Sequence, residues 1–247
     1  MAMGTLAAVA VFAAAFILGG KFHRPGNIRR RSFLSFSAGT AVAYIFVHLR
    51  PELEMARDVF LKETAGSGSI LFAAYSINLA VMIGFIVFYG LEKFVIGSRE
   101  IPGARKIDEE GTTRMSFRIN VGVFAVYAFL VGFLLVDNLE ETIVPIFFYT
   151  LAMGLHFLTV GHGLHKEYGA LYDRIGAYIL AASTVVGWGI ALWMDLPKTI
   201  VALLLGFIAG GVMVNAIIME LPTEKEGRFF PFFLGAVSYT AILMLSV

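Results

Sequence analysis

Cysteine is absent from these 247 residues, which removes disulfides and thiolate metal ligands from consideration. Charge is scarce too: Asp, Glu, Lys and Arg make up 15% of the chain, against 58% hydrophobic residues. With a mean hydropathy of +0.80, an ordinary soluble domain is excluded. No Lys or Arg precedes the first apolar run. The positive cluster of Lys21, Arg24, Arg29, Arg30 and Arg31 follows it, an order that predicts a retained first helix and argues against a cleaved signal peptide. A clustered basic face for nucleic acid is missing; the cations flank apolar runs, where they fix topology and meet anionic lipid. Catalytic signatures are missing as well. There is no His-Glu-x-x-His, no paired Gly-Asp intramembrane carboxylates and no phosphate-cradling Gly loop, so an enzyme is not expected.

What the chain does have is eight apolar stretches, at about 2–20, 31–49, 69–91, 117–136, 142–163, 175–193, 199–219 and 229–247. A helix needs about 20 mostly apolar residues to span roughly 30 Å of hydrocarbon. The sequence therefore predicts an all-α membrane protein, one transmembrane domain of eight helices over residues 1–247. The connecting loops, counted with Arg31 and Arg118 at the span edges, carry five, three, six, none, two, one and two Lys or Arg residues in order. Cationic loops stay cytoplasmic, which places both termini outside. Compact loops lean toward a prokaryotic cytoplasmic membrane. The segment of about 92–116 is the one long linker, with Ile101-Pro102-Gly103 as a turn signal and Asp108, Glu109, Glu110 and Arg114 as a solvated charge run.

An internal echo adds to this. Phe36-Ser37-Ala38-Gly39 precedes Pro51 in the second span, and Phe207-Ile208-Ala209-Gly210 precedes Pro222 in the seventh, 171 residues later. By loop parity these spans run in opposite directions. Similar sequences in opposite orientation mark inverted-topology repeats, a construction common among secondary transporters. Small residues also serve helix packing in general, and Gly84, Gly122, Gly132, Gly154, Gly187, Gly189, Gly206 and Gly211 lie inside spans as well.

The second span and its exit, Ser37-Ala38-Gly39-Thr40 to His48-Leu49-Arg50-Pro51-Glu52, resemble the second helix of the ZIP (Zrt/Irt-like) family of divalent metal transporters. Ala209-Gly210-Gly211 to Met219-Glu220-Leu221-Pro222-Thr223-Glu224 resembles that family's seventh helix. The resemblance implies a ZIP-like bundle of eight helices, both termini outside, a cytoplasmic loop after the third helix and an inverted repeat of helices 1–3 and 6–8. It also suggests a homodimer. The family's metal chemistry rests on His-Asn-x-x-Asp/Glu-Gly in the fourth helix and His-Glu-x-x-Glu in the fifth. Here the corresponding stretches read Tyr127-Ala128-Phe129-Leu130-Val131-Gly132 and His156-Phe157-Leu158-Thr159-Val160. One Gly and one His survive; the carboxylates do not. A bare divalent ion buried without compensating anions is strongly disfavoured, so a divergent member with a degenerate metal site is implied.

Ionisable groups at membrane depth are expensive and often functional. His156, with Thr159 at i+3 and Tyr127 facing them, is the candidate for a substrate pathway, and His156 the one candidate metal ligand. A histidine hydrogen-bonded to a neighbouring helix fits equally. His48 and Glu52, at i and i+4, are candidates for an outer entrance, with Pro51 between them a threat to the geometry. Asp137, Glu140 and Glu141 form an acidic outer loop that either gathers cations or simply turns in solvent. His162 and His165, at i and i+3, offer a metal-binding or pH-sensing pair, but without a carboxylate beside them in the sequence an interfacial, structural role is favoured. Asn78, Asn120 and Asn215 are candidate interhelical hydrogen-bonders, with Arg118 snorkelling nearby. The function expected is a ZIP-like transporter of a divalent cation or other small solute. A transport-inactive structural or regulatory relative, or a carrier of a neutral or organic solute, are the alternatives. No resident cofactor is called for beyond a divalent ion as substrate.

Overall fold

The computed structural model describes residues 2–22, 28–65, 70–97, 106–137, 143–217 and 228–246. Among them there is no strand. The helices are α1 (Ala2–Gly19), α2 (Ile28–Ala43), α3 (Arg50–Glu63), α4 (Ile70–Gly97), α5 (Lys106–Asp137), α6 (Ile143–Tyr168), α7 (Ala177–Ala191), α8 (Lys198–Asn215) and α9 (Phe229–Ser246). Six helical segments are long and apolar enough to cross a membrane, and α1 and α9 are shorter apolar helices. The protein is an all-helical membrane protein.

Several boundaries differ from the sequence expectation. The second span does not end at Leu49. A π-helical turn, Tyr44–Leu49, joins α2 to α3 without a break. Proline lacks an N–H and its ring collides with the carbonyl four residues back, which normally kinks or ends a helix. Here the Arg50 N–H donates to Ile45 O, five residues back, so the widened turn just ahead of Pro51 absorbs the misfit. The chain beyond then runs as the amphipathic α3, burying Ala56 and Phe60 against Ile77 and Ala202 and exposing Glu54, Arg57, Asp58 and Lys62. The linker also shrinks: 92–97 belong to α4 and 106–116 to α5, while 98–105 lie outside the described residues. Helix α6 continues to Tyr168, and a second π turn, Tyr172–Gly176, leads into α7.

The four most extensive helix contacts are α5 with α7, α4 with α8, α2 with α9 and α1 with α6. Each is built on glycine, because backbones approach closely only where a side chain is missing. A Cβ on Gly39 would overlap the Phe232 carbonyl, and one on Gly235 would overlap that of Phe36. Likewise a Cβ on Gly210 would overlap the Val81 carbonyl, and one on Gly84 that of Phe207. These two interfaces use the same parts: Phe36 and Gly39 correspond to Phe207 and Gly210 at an offset of 171, and Val81 and Gly84 to Phe232 and Gly235 at an offset of 151. The echo seen in sequence is thus a repeated contact. Even the π turn recurs, at 216–217 at the end of α8. Elsewhere, Trp188 Nε1 donates to Thr5 Oγ1 at 3.1 Å and Tyr172 Oη to Phe16 O at 2.8 Å, which sets α1 antiparallel to α7.

Candidate functional site

Helices α5 and α6 carry the residues that the sequence places at mid-depth. Tyr127 Oη lies 3.0 Å from His156 Nε2, and both side chains are buried. The phenol donates to Nε2 or accepts from it, according to the imidazole tautomer. Aromatic rings enclose the pair: Phe88 and Phe157 meet Tyr127 edge-on at centroid distances of 5.3 and 6.0 Å, and Phe157 lies 5.6 Å from the His156 ring. Thr159 is buried, but its hydroxyl donates to Leu155 O of its own helix at 2.8 Å, the back-bonding typical of threonine inside a helix. Val131, Phe157 and Val160 are at most 1% exposed, so the seam between α5 and α6 is sealed here. No group of three or more His, Asp or Glu side chains able to hold a metal ion occurs among the described residues.

Toward the C-terminal end of α5 the packing loosens. A narrow cleft is lined by Tyr44, Leu49 and Glu52 from the α2–α3 helix, Val131, Leu134 and Leu135 from α5, Tyr149 and Met153 from α6, and Leu205, Ile208 and Val212 from α8. Its inner lining residues on α5 and α6, Val131 and Met153, lie one helical turn from Tyr127 and His156. His48 Nε2 and Glu52 Oε1 stand 3.5 Å apart, with side chains 20% and 17% exposed. The continuous helix through Pro51 keeps them on one face, so the proline does not separate the pair. Tyr44 stacks obliquely on His48 at 5.4 Å and approaches Tyr149 at 6.2 Å.

At the other end of α6 a partner missed in the sequence appears. His165 Nδ1 lies 2.7 Å from Asp173 Oδ1, across the turn that joins α6 to α7. Asp173 is eight residues downstream, and nothing in the sequence predicts a reversal at Gly169 except the glycine itself, which adopts φ 54°. His162 is buried on the same stretch. Asn120 Nδ2 donates to Tyr168 Oη at 3.1 Å, bridging α5 and α6 as an interhelical hydrogen bond should. Asn215 is buried, whereas Asn78 is exposed on α4. Arg118 is exposed, as a snorkelling side chain would be. Asp137 ends α5, while Glu140, Glu141 and the Glu220–Glu224 stretch of the resemblance lie outside the described residues.

The chain is similar to the zinc transporter ZIP13 of Pongo abelii, with 26% identity over 207 residues, covering 79% of this chain and 59% of that protein. The chain therefore spans about three-fifths of that relative's length. No family model matches the sequence.

Proposed function

We propose that this is a ZIP-like integral membrane transporter of a small solute, built as an inverted repeat of helices 1–3 and 6–8. In it the carboxylate-bearing divalent site of that family is replaced by the Tyr127–His156 pair. The observation that carries this reading is the repeated contact: α2 on α9 and α8 on α4 reuse the same residues at constant offsets. Two halves of opposite orientation that pack alike are the framework on which alternating access operates, since either half can adopt the conformation of the other. Loop charge then sets both termini, and the cleft at Glu52, on the outer face of a membrane.

The centre argues against zinc as a well-held substrate. A divalent ion at His156 would have to displace the Tyr127 hydrogen bond and would find one imidazole, a phenol and aromatic walls. The zinc named for the ZIP13 relative belongs to that protein; here weak divalent transport is the expectation. Uptake into reconstituted vesicles tests the reading, using zinc, manganese and iron beside monovalent and neutral solutes, with His156→Ala as the comparison. Uptake of some solute above empty vesicles, with zinc near background, is expected. Background uptake of every solute would favour a second reading, a structural or regulatory relative. The sealed contact of Val131, Phe157 and Val160 gives that reading its physical basis.

A further inference from the structure

We propose that the cleft at Glu52 is a binding site for a small monovalent cation of ammonium size. This inference rests on the transporter reading for its purpose but concerns binding, which can be measured without transport.

Charge comes first. Glu52 is the one carboxylate among the described residues lining the cleft, and its side chain is only 17% exposed. A single anion in a largely apolar wall compensates one positive charge, whereas a divalent ion there would keep an uncompensated charge in a low-dielectric site. Donor type comes second. Besides the carboxylate, the lining offers the phenols of Tyr44 and Tyr149 and the thioether of Met153. Among the described residues neither phenol hydroxyl makes a hydrogen bond, so both oxygens are available as acceptors. Neutral oxygens with one carboxylate suit a weakly hydrated monovalent cation. Size comes third. Between its aliphatic walls the cleft has room for little more than a water-sized body, which admits ammonium or methylammonium and excludes bulkier organic cations. His48, 3.5 Å from Glu52 on the neighbouring turn, is the internal group that a bound cation would replace as partner.

Carbodiimide labelling tests this on the purified full-length protein in detergent. A hydrophobic carbodiimide forms an adduct on a carboxyl in an apolar site, and mass spectrometry reads the adduct at Glu52. At fixed pH and ionic strength, methylammonium or ammonium should slow labelling of Glu52 about fivefold or more, while tetramethylammonium and magnesium leave the rate unchanged. Tyr149→Phe should weaken the methylammonium protection without abolishing labelling, a result that also requires the protein to be folded. Unchanged labelling with methylammonium would overturn the proposal. Equal protection by tetramethylammonium would do the same, as would protection by zinc or magnesium at lower concentration than methylammonium. A protein that transports nothing yet shows selective protection would remove the transporter reading and leave this site standing.

Discussion

The two ends of α6 are built on opposite principles. At its C-terminal end α1 lies directly on it: a Cβ on Gly19 would stand 2.9 Å from Gly161 Cα, and the Tyr172 hydroxyl closes the joint by donating to Phe16 O. At its N-terminal end Tyr149 and Met153 border a cleft with a partly buried carboxylate. Glycine-on-glycine contact excludes solvent because backbone atoms cannot rotate away. The cleft end is lined instead by large side chains that meet across a gap. The contrast teaches which half of the molecule is closed. The bundle is closed at the C-terminal end of α6 and indented at its N-terminal end.

The largest effect should come from breaking the closed end. Gly19→Val places a branched side chain against the Gly161 backbone and should destabilise the fold by about 1–3 kcal/mol, the usual range for overpacking. Gly122→Val or Gly189→Val meets nothing within 4 Å and should leave stability nearly unchanged. Unfolding in mixed micelles by increasing detergent denaturant reads the difference. If all three variants unfold together, the closure at Gly19 is not a close contact.

A middle-sized effect belongs to the boundary between the two ends. Tyr127→Phe removes the 3.0 Å hydrogen bond to His156 Nε2 in a buried aromatic setting, and losing one such bond costs about 0.5–1.5 kcal/mol. His156→Phe should cost less in Tyr127→Phe than in the wild-type background, because the pair has already been broken. A double-mutant cycle in the same unfolding assay measures that coupling. Additive losses would mean that the hydrogen bond contributes nothing.

Much of this arrangement was legible in the sequence. The all-helical, membrane-crossing character follows from apolar length, and the echo of Phe36 to Gly39 in Phe207 to Gly210 falls on residues that make matching glycine contacts. Tyr127 and His156 could be placed at similar depth by counting along their spans, though counting could not establish that they touch. What stayed hidden has a common cause. The π turn before Pro51 and the π turn at Tyr172–Gly176 are backbone adjustments with no compositional signature, and each changes what its neighbours meet. The first keeps His48 beside Glu52 where a break was feared. The second follows the reversal at Gly169 and sets Asp173 against His165, a pairing that helical spacing alone would not produce. The Thr159 hydroxyl bond was hidden for a related reason: spacing gives the face of a helix, but the choice between a neighbour and its own backbone carbonyl is local.

The smallest expected effect tests whether His165 and Asp173 help hold the closed end. The contact is short, at 2.7 Å, but Asp173 is 45% exposed, so solvent screens much of the attraction. Asp173→Asn keeps the shape and a hydrogen-bond acceptor while removing the charge, and should lower stability by no more than about 0.5 kcal/mol. A structural role for the pair would instead appear in access. The closed joint depends on Tyr172, the residue next to Asp173, keeping its bond to Phe16 O. Charge loss that loosens the turn should therefore raise hydrogen exchange at the amides of 172–176 while the amides of α5 and α7 stay protected. Exchange unchanged across that turn would assign the ion pair to the surface, and would leave the glycine contact of α1 with α6 as the element that closes this end of the bundle.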